Sequence, residues 1–272
     1  MAKVRDRAMA IVELLAANAG GMLLIDIADT LDIPRSATHR VLADLKEAAY
    51  VRQDGEGERY LLTAKLITLA ATFLAGAGVT DLVQPVLDRL AEATQELVRL
   101  AAISGGQLLW VARSQGSRQG LRYDPSDGTV IKLSVTSVGH AWLACLTDEQ
   151  ALEKVARQGF THEGHGPGAP RSIDELLASI RHARTRGYAT ITETNEAGTS
   201  ALSTAIVSPR STQPIGMLNI AGPTVRLSSE RMDKIAPLMQ AASRELADVC
   251  ASSPLFRNGV HVEPGLARPA AA

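Results

Sequence analysis

Between residues 35 and 46 the chain gathers Arg35, Ser36, Thr38, His39, Arg40 and Lys46. The chemistry this set suits is hydrogen bonding. An arginine pairs with guanine or phosphate, and Ser, Thr, His and Lys add further contacts to base edges and backbone oxygens. Catalytic constellations find less support. His162-Glu163-Gly164-His165 has metal-ligand residue types but no matching second pair, and His182 and Cys145 do not complete one. Gly164-x-Gly166-x-Gly168 neither follows a strand-like run nor opens a helix with a lysine, so it is no phosphate loop. No Gly-x-Ser-x-Gly elbow occurs. The expectation is a non-enzyme without metal, cofactor or catalytic residues. The competing reading is a small-molecule-processing enzyme with an accessory winged-helix domain.

A helix over residues 33–50 must position the donor set. Pro34 sets φ for a first turn, and Ala37, Val41, Leu45 and Ala48 recur at helical spacing as an inward stripe. By itself this describes any amphipathic surface helix. Its neighbours narrow the choice. A helix with apolar Met9, Val12, Leu15 and Ala16 stops at Gly20-Gly21, and a shorter one follows over about 25–31, with Ile27, Ala28 and Leu31 inward. Basic Lys3, Arg5 and Arg7 precede the first. After the third helix, two strand-like runs flank Asp54-Gly55-Glu56-Gly57, a hairpin signal that adds Arg59 to the donors. Helix-turn-helix plus hairpin is a winged helix, built to lay its third helix in the major groove.

Size and charge bound the remainder. The 272 residues exceed one typical domain, and the formal net charge is −1. Residues 1–65 carry nine Lys and Arg against ten Asp and Glu, which disfavours a binder driven by non-specific phosphate attraction. Aromatic residues make up 3%, too few for single-strand stacking platforms. Two cysteines, Cys145 and Cys250, form no disulfide framework. No signal-peptide pattern opens the sequence, and the most apolar run, 66–79, is too short for a bilayer. A cytoplasmic protein without membrane partners is expected.

Residues 64–77 have helical spacing with almost no polar face, so a second subunit is the expected cover, through Leu66, Leu69, Phe73 and Leu74. Pro85 falls in the first turns of the next helix, which runs to about residue 96. Strand-like runs over 98–104 and 107–113 meet at Gly105-Gly106, and a short strand is expected at 121–123. Helices are expected over 138–146, 148–157 and 173–186, strands over 188–194, 202–208 and 215–221, and a long helix over 228–250. The order implies an α+β fold with an antiparallel sheet flanked by helices. Expected boundaries are 1–63 for the winged helix, 64–80 for the linker and dimerisation helix, 81–251 for the second domain and 252–272 for a flexible tail.

Ile33-Pro34-Arg35-Ser36 and Arg40-Val41-Leu42 resemble the recognition-helix pattern of the IclR family of bacterial transcriptional regulators. Ala37 stands for a usual Thr, Ala49 for the usual Gly before the aromatic residue, and Leu23 for a common Ser or Thr cap. The second half resembles the family's GAF-like effector-binding domain through the run 138–144, Arg186-Gly187-Tyr188, Asn195-Glu196-Ala197-Gly198 and Gly222-Pro223. The resemblance implies a homodimer or tetramer on double-stranded operator DNA, controlled by a small-molecule effector and governing a catabolic operon. It also implies an effector pocket at Ser137, Val138, Ile191, Ala201, Ser203, Asn219 and Ala221. Ile191 stands there for an acidic residue, Ala201 for a Cys, and Asn219 and Ala221 for serines. The loss of small donors points to a bulkier effector, aromatic or amide-bearing, anchored by Asn219 and Ser203.

Overall fold

The computed structural model describes residues 4–55, 58–125, 130–208, 213–250 and 253–257, and the chain divides between Phe73 and Leu74 into two compact units. Lys3, Glu56 and Gly57 lie outside the described residues.

In the first unit α1 (Val4–Ala17), α2 (Leu24–Thr30) and α3 (Arg35–Glu47) precede an antiparallel hairpin of β1 (Val51–Gln53) and β2 (Tyr60–Leu62). Ile11, Leu15, Ile27, Val41, Leu42, Val51 and Tyr60 form the core. The inward faces differ from expectation by about one position. In α1 Ile11 joins Leu15, while Met9 is 55% exposed. In α3 Thr38 and Leu42 are buried where Ala37 and Ala48 were expected. Helical periodicity leaves the direction of the stripe open by a residue, and larger Leu and Ile side chains gain more by burial than Ala. Gly21 bends the chain between α1 and α2 at φ +78°, beneath the hairpin. A Cβ there would lie 2.7 Å from Leu61 Cγ, and the next residue, Met22, bridges to Tyr60.

The end of α3 carries strain. The Tyr50 N–H donates to Leu45 O and the Ala49 N–H to Lys46 O, both at 2.9 Å, which completes a Schellman motif. Its left-handed position is Ala49, at φ +59°. At the head of α2, Leu23 has cap geometry without a side-chain cap bond.

Next, α4 (Lys65–Gly76) buries none of its residues, and Ile67, Leu69 and Phe73 are exposed. One π-helical turn (Val79–Val83) leads into α5 (Gln84–Thr94), with Pro85 in its first turn. The second unit is then built on a five-stranded antiparallel sheet in the order β4-β3-β7-β6-β5. The strands are β3 (Leu97–Ser104), β4 (Gln107–Gln115), β5 (Ala189–Thr192), β6 (Thr199–Val207) and β7 (Pro214–Pro223). Leu100, Ala102, Leu202, Leu218 and Ile220 pack on one face with α5 and α9 (Ser229–Cys250). Ala101, Ile103 and Met217 pack on the other with α6 (Ser137–Ala144), α7 (Asp148–Gln158) and α8 (Ile173–Arg186).

Two expectations are corrected here. Residues 121–123 form no strand; the segment is held by the Gln115 side chain on Tyr123 O and the Arg226 guanidinium on Leu121 O. The chain after residue 252 does not leave the fold at once. A last turn, α10 (Pro254–Arg257), seats Phe256 fully in the core, and Ser253 Oγ donates to Ala77 O at 2.6 Å. One large apolar side chain at that point outweighs the lack of periodicity that made the stretch read as tail.

Two buried polar groups are fully partnered. Glu96, 1% exposed, receives Arg226 Nε at 2.7 Å and Nη2 at 2.8 Å. His140, 1% exposed, has Nε2 at 2.8 Å from Ser134 O and Nδ1 at 3.0 Å from Ser179 Oγ. A neutral ring satisfies both contacts, and burial holds its pKa below the ordinary histidine range.

Ala49→Gly removes the left-handed strain and adds glycine's unfolded-state entropy, so the net gain is about 0.5–1 kcal/mol. The melting midpoint of the winged-helix unit should rise by about 2–8 °C, read by circular dichroism. For His140 the unfolded chain takes up a proton that the folded chain refuses. Its contribution to stability is therefore complete above pH about 6.5 and lost as pH falls below it. Urea unfolding from pH 8 to 5 should show this decline, with a shallower slope below pH 6.5 in His140→Gln.

Candidate functional site

On α3 the packed and open faces separate cleanly. Thr38, Val41 and Leu42 are buried, whereas Arg35, Ser36, His39, Arg40 and Lys46 are exposed. At about 100° per residue the five fall within roughly 140° of arc, with Arg35, Lys46 and His39 along one edge and Ser36 and Arg40 further round on the same side. Three turns of helix thus present one broad face of donors. Thr38 is corrected: its side chain is fully buried and its hydroxyl donates to Pro34 O at 3.3 Å, so it holds the helix start and presents nothing outward. Arg59 is exposed, but its Nη1 donates to Gly21 O at 2.9 Å, which ties the hairpin to the turn after α1.

In the second unit strand register gathers five of the seven predicted ligand residues on one sheet face, and α6 carries the other two. Ile191, Ala201 and Ala221 lie directly opposite one another across β5, β6 and β7, and form a small cluster under Tyr123. Two pairs further along β6 and β7, Ser203 faces Asn219, and Asn219 faces Arg99 of β3. Directly opposed residues share a sheet face. From α6, Ser137 Oγ lies 2.8 Å from Ser203 Oγ, and Asn219 Nδ2 donates to both at 3.1 and 3.0 Å. Val138 is buried beside them. Asn219 Oδ1 is also buried and has no hydrogen-bond partner among the described residues. The α6 helix starts on a cap, with Thr136 Oγ1 accepting from the Gly139 N–H at 3.1 Å.

These seven residues close on one another; the open space lies next to them. A cavity of about 280 Å³ is lined by Arg99, Trp110, Tyr123, Lys132, Asn195 and Glu196, with Pro125, Val130, Ile131 and Thr136. Tyr123 belongs to both, packing on the Ile191 cluster and lining the cavity. Its phenol is held above the ordinary range, by burial first and then by Glu196, against the opposing pull of Arg99 and an Asn195 hydrogen bond. The Arg99 guanidinium lies 3.9 Å over the Trp110 ring. Sequence reasoning missed this wall. Its one legible signal was an arginine inside the apolar run Leu97-Val98-Arg99-Leu100.

The other residues with chemistry-bearing types have structural places. Among the described residues no three His, Cys, Asp or Glu are grouped to hold a metal ion. The Gly166 and Gly168 N–H groups donate to Thr194 O and Glu193 O, so this glycine run docks a loop on the end of β5. Cys250 is buried, which pushes its thiol to about 12. No single helix among the described residues is long and apolar enough to cross a membrane.

Comparison with known proteins covers both units. The model of the IclR helix-turn-helix domain matches residues 5–55, and that of the bacterial transcriptional regulator IclR C-terminal domain matches residues 71–248. The acetate operon repressor of Salmonella typhimurium is 26% identical over 243 residues, 88% of this chain and 87% of that protein. An IclR transcriptional regulator from Alicyclobacillus acidocaldarius shares the fold with a TM-score of 0.77 at 19% identity, over 92% of this chain and 99% of that one. An IclR homologue from Microbacterium hydrocarbonoxydans, solved in complex with 4-hydroxybenzoate, does so with a TM-score of 0.71 at 18% identity, over 90% and 100%. The chain belongs to the IclR family of bacterial DNA-binding transcriptional regulators.

Proposed function

We propose that α3 reads operator DNA, that α4 pairs subunits, and that a small molecule bound in the second unit sets operator affinity for a catabolic operon. The observation that carries the reading is the division of α3. Val41, Leu42 and Thr38 are consumed by the core, and Arg35, Ser36, His39, Arg40 and Lys46 are left outward. Arg40 and Arg35 carry the planar forks that match guanine or phosphate. Arg59 steadies the hairpin from its base.

The exposed apolar side chains of α4 support pairing, since a helix with Ile67, Leu69 and Phe73 open needs a cover. Two copies then offer two recognition helices to half-sites of a near-palindromic operator. The 4-hydroxybenzoate held by one structural relative, and the acetate operon named for another relative, support small-molecule control of a catabolic operon. The seven residues around Ser137 and Asn219, with the cavity beside them, are the place for that effector. Such coupling is reciprocal, and its usual size corresponds to a roughly 5–150-fold change in affinity. The reading assigns no catalytic step.

Arg40→Ala should weaken operator binding roughly 5–150-fold, with an unchanged circular dichroism spectrum. The check is a gel-shift titration at fixed salt. Equal affinity and equal sequence preference would remove α3 from the reading role. Replacing Leu69 and Phe73 together by Glu should yield monomers with little specific DNA binding. A soluble double variant sedimenting like the parent oligomer would end the pairing role of α4.

A further inference from the structure

The carbonyls of Ala48, Ala49 and Tyr50, at and just past the end of α3, all accept from the residues that lead into α4. Lys65 Nζ donates to Ala48 O at 2.7 Å, Thr63 Oγ1 to Ala49 O at 2.6 Å, and the Thr63 N–H to Tyr50 O at 2.9 Å. The last of these extends the hairpin ladder beyond the Val51 and Leu62 pair. The other two come from side chains that the hairpin does not need. The Lys65 ammonium also lies 4.3 Å from the centre of the Tyr50 ring, and the Lys65 N–H donates to Thr63 Oγ1 at 3.2 Å.

Lys65 is the one charged residue of α4, KLITLAATFLAG, and it stands at that helix's N-terminus. A cation is disfavoured there, where the helix dipole is positive, and favoured at the end of α3, where it is negative. Its place is therefore explained by α3 and not by its own helix. Resting on the readings of α3 as the DNA-reading helix and α4 as the pairing helix, we infer that Lys65 and Thr63 are positioning residues. They lock α3 to α4 and so set the half-site spacing that the dimer accepts. Turning α3 against the head of α4 breaks both side-chain bonds together. The lever is long: α3 measures about 20 Å, so a tilt of about 10° at its C-terminal end moves its other end by about 3.4 Å, one base-pair step. That other end carries Arg35, Ser36, His39 and Arg40.

The probe is a duplex that the unaltered chain selects from a random-sequence pool. Its spacer between half-sites is then lengthened and shortened by one base pair, and a second duplex holds a single half-site. Affinities come from gel shifts at fixed salt, oligomeric state from sedimentation and folding from circular dichroism. The unaltered chain should lose at least about tenfold on each altered spacer, because both half-sites are no longer engaged at once. In Lys65→Met combined with Thr63→Val, affinities across the spacers should converge to within about threefold, with the single half-site bound as before and the oligomer retained. Lys65→Arg, which keeps the charge and a group to stack on Tyr50, should keep the unaltered preference. If the double variant does not fold, Lys65→Met decides, since that side chain is exposed. A variant that melts lower and keeps a sharp spacer preference overturns the inference, because a merely stabilising cap does the same. An equal loss on the single half-site and on the pair overturns it too, by making Lys65 a phosphate contact. So does an unaltered chain indifferent to the spacer. A selected duplex with one half-site only would sink the pairing reading and this inference with it. Paired half-sites with a sharp preference in the variant sink the inference alone.

Discussion

The pairing of β3 with β7 in the middle of the five-stranded sheet constrains everything else in the second unit. Helices cover both faces of this strand pair, so each of its side chains must be apolar or find a polar partner without water. On the face of α5 and α9 the answer is wholly apolar, with Leu100, Ala102, Leu218 and Ile220. On the face of α6 the same strands carry Arg99 and Asn219, and β6 continues the row with Ser203. A buried hydroxyl or amide costs on the order of 1–3 kcal/mol when left unpaired, so such a row does not arise from packing alone. Its hydrogen bonds to Ser137 and the cavity beside Arg99 give it a role that apolar side chains would not fill.

Buried charge follows the same logic at the edge of this unit. Glu96 is held by the Arg226 fork, and the space it occupies exists because residue 222 is glycine; a Cβ there would lie 2.3 Å from Glu96 Oε2. The Gly222-Pro223 pair that ends the central strand is therefore part of a charge site. Arg226 also reaches Leu121 O, so one guanidinium links the buried carboxylate to the segment that carries Tyr123. The wall of the cavity thus depends on an ion pair outside it.

The winged-helix unit works under a tighter constraint of size. Its core is a handful of side chains, Ile11, Leu15, Ile27, Val41, Leu42, Val51 and Tyr60, and a domain this small has little stability to spare. α3 must therefore give its larger apolar side chains to the core and is free to vary only on the opposite half. That division leaves Arg35, Ser36, His39, Arg40 and Lys46 facing out, together with the acidic Asp44 and Glu47. The strained Ala49 and the uncapped start of α2 are tolerable because the hairpin pins the same region, through Arg59 on Gly21 O and Met22 paired with Tyr60. Exposed donors and a marginal scaffold arise from the same few turns of helix.

Local patterns determined much of this molecule. Pro34, the glycine breaks, the hairpin signals and the apolar spacing placed nearly every helix and strand within a few residues, because capping, turn chemistry and periodicity act over one or two turns. They also marked Arg35, Ser36, His39, Arg40 and Lys46, since an outward face is what an inward stripe leaves over. Tertiary structure decided the remainder. It chose which neighbouring stripe of α1 and α3 packs, burying Thr38 and Leu42 instead of Ala37 and Ala48, because the partner surface rewards the larger side chains. It drew Phe256 into the core from a stretch with no pattern. It set Ile191, Ala201 and Ala221 in one row and Arg99, Asn219 and Ser203 in the next, through register between strands far apart in the chain. An arginine in an apolar run was visible beforehand; that it meets Trp110, Tyr123 and Glu196 around one cavity follows only from the pairing of β3 and the return of the loops above it.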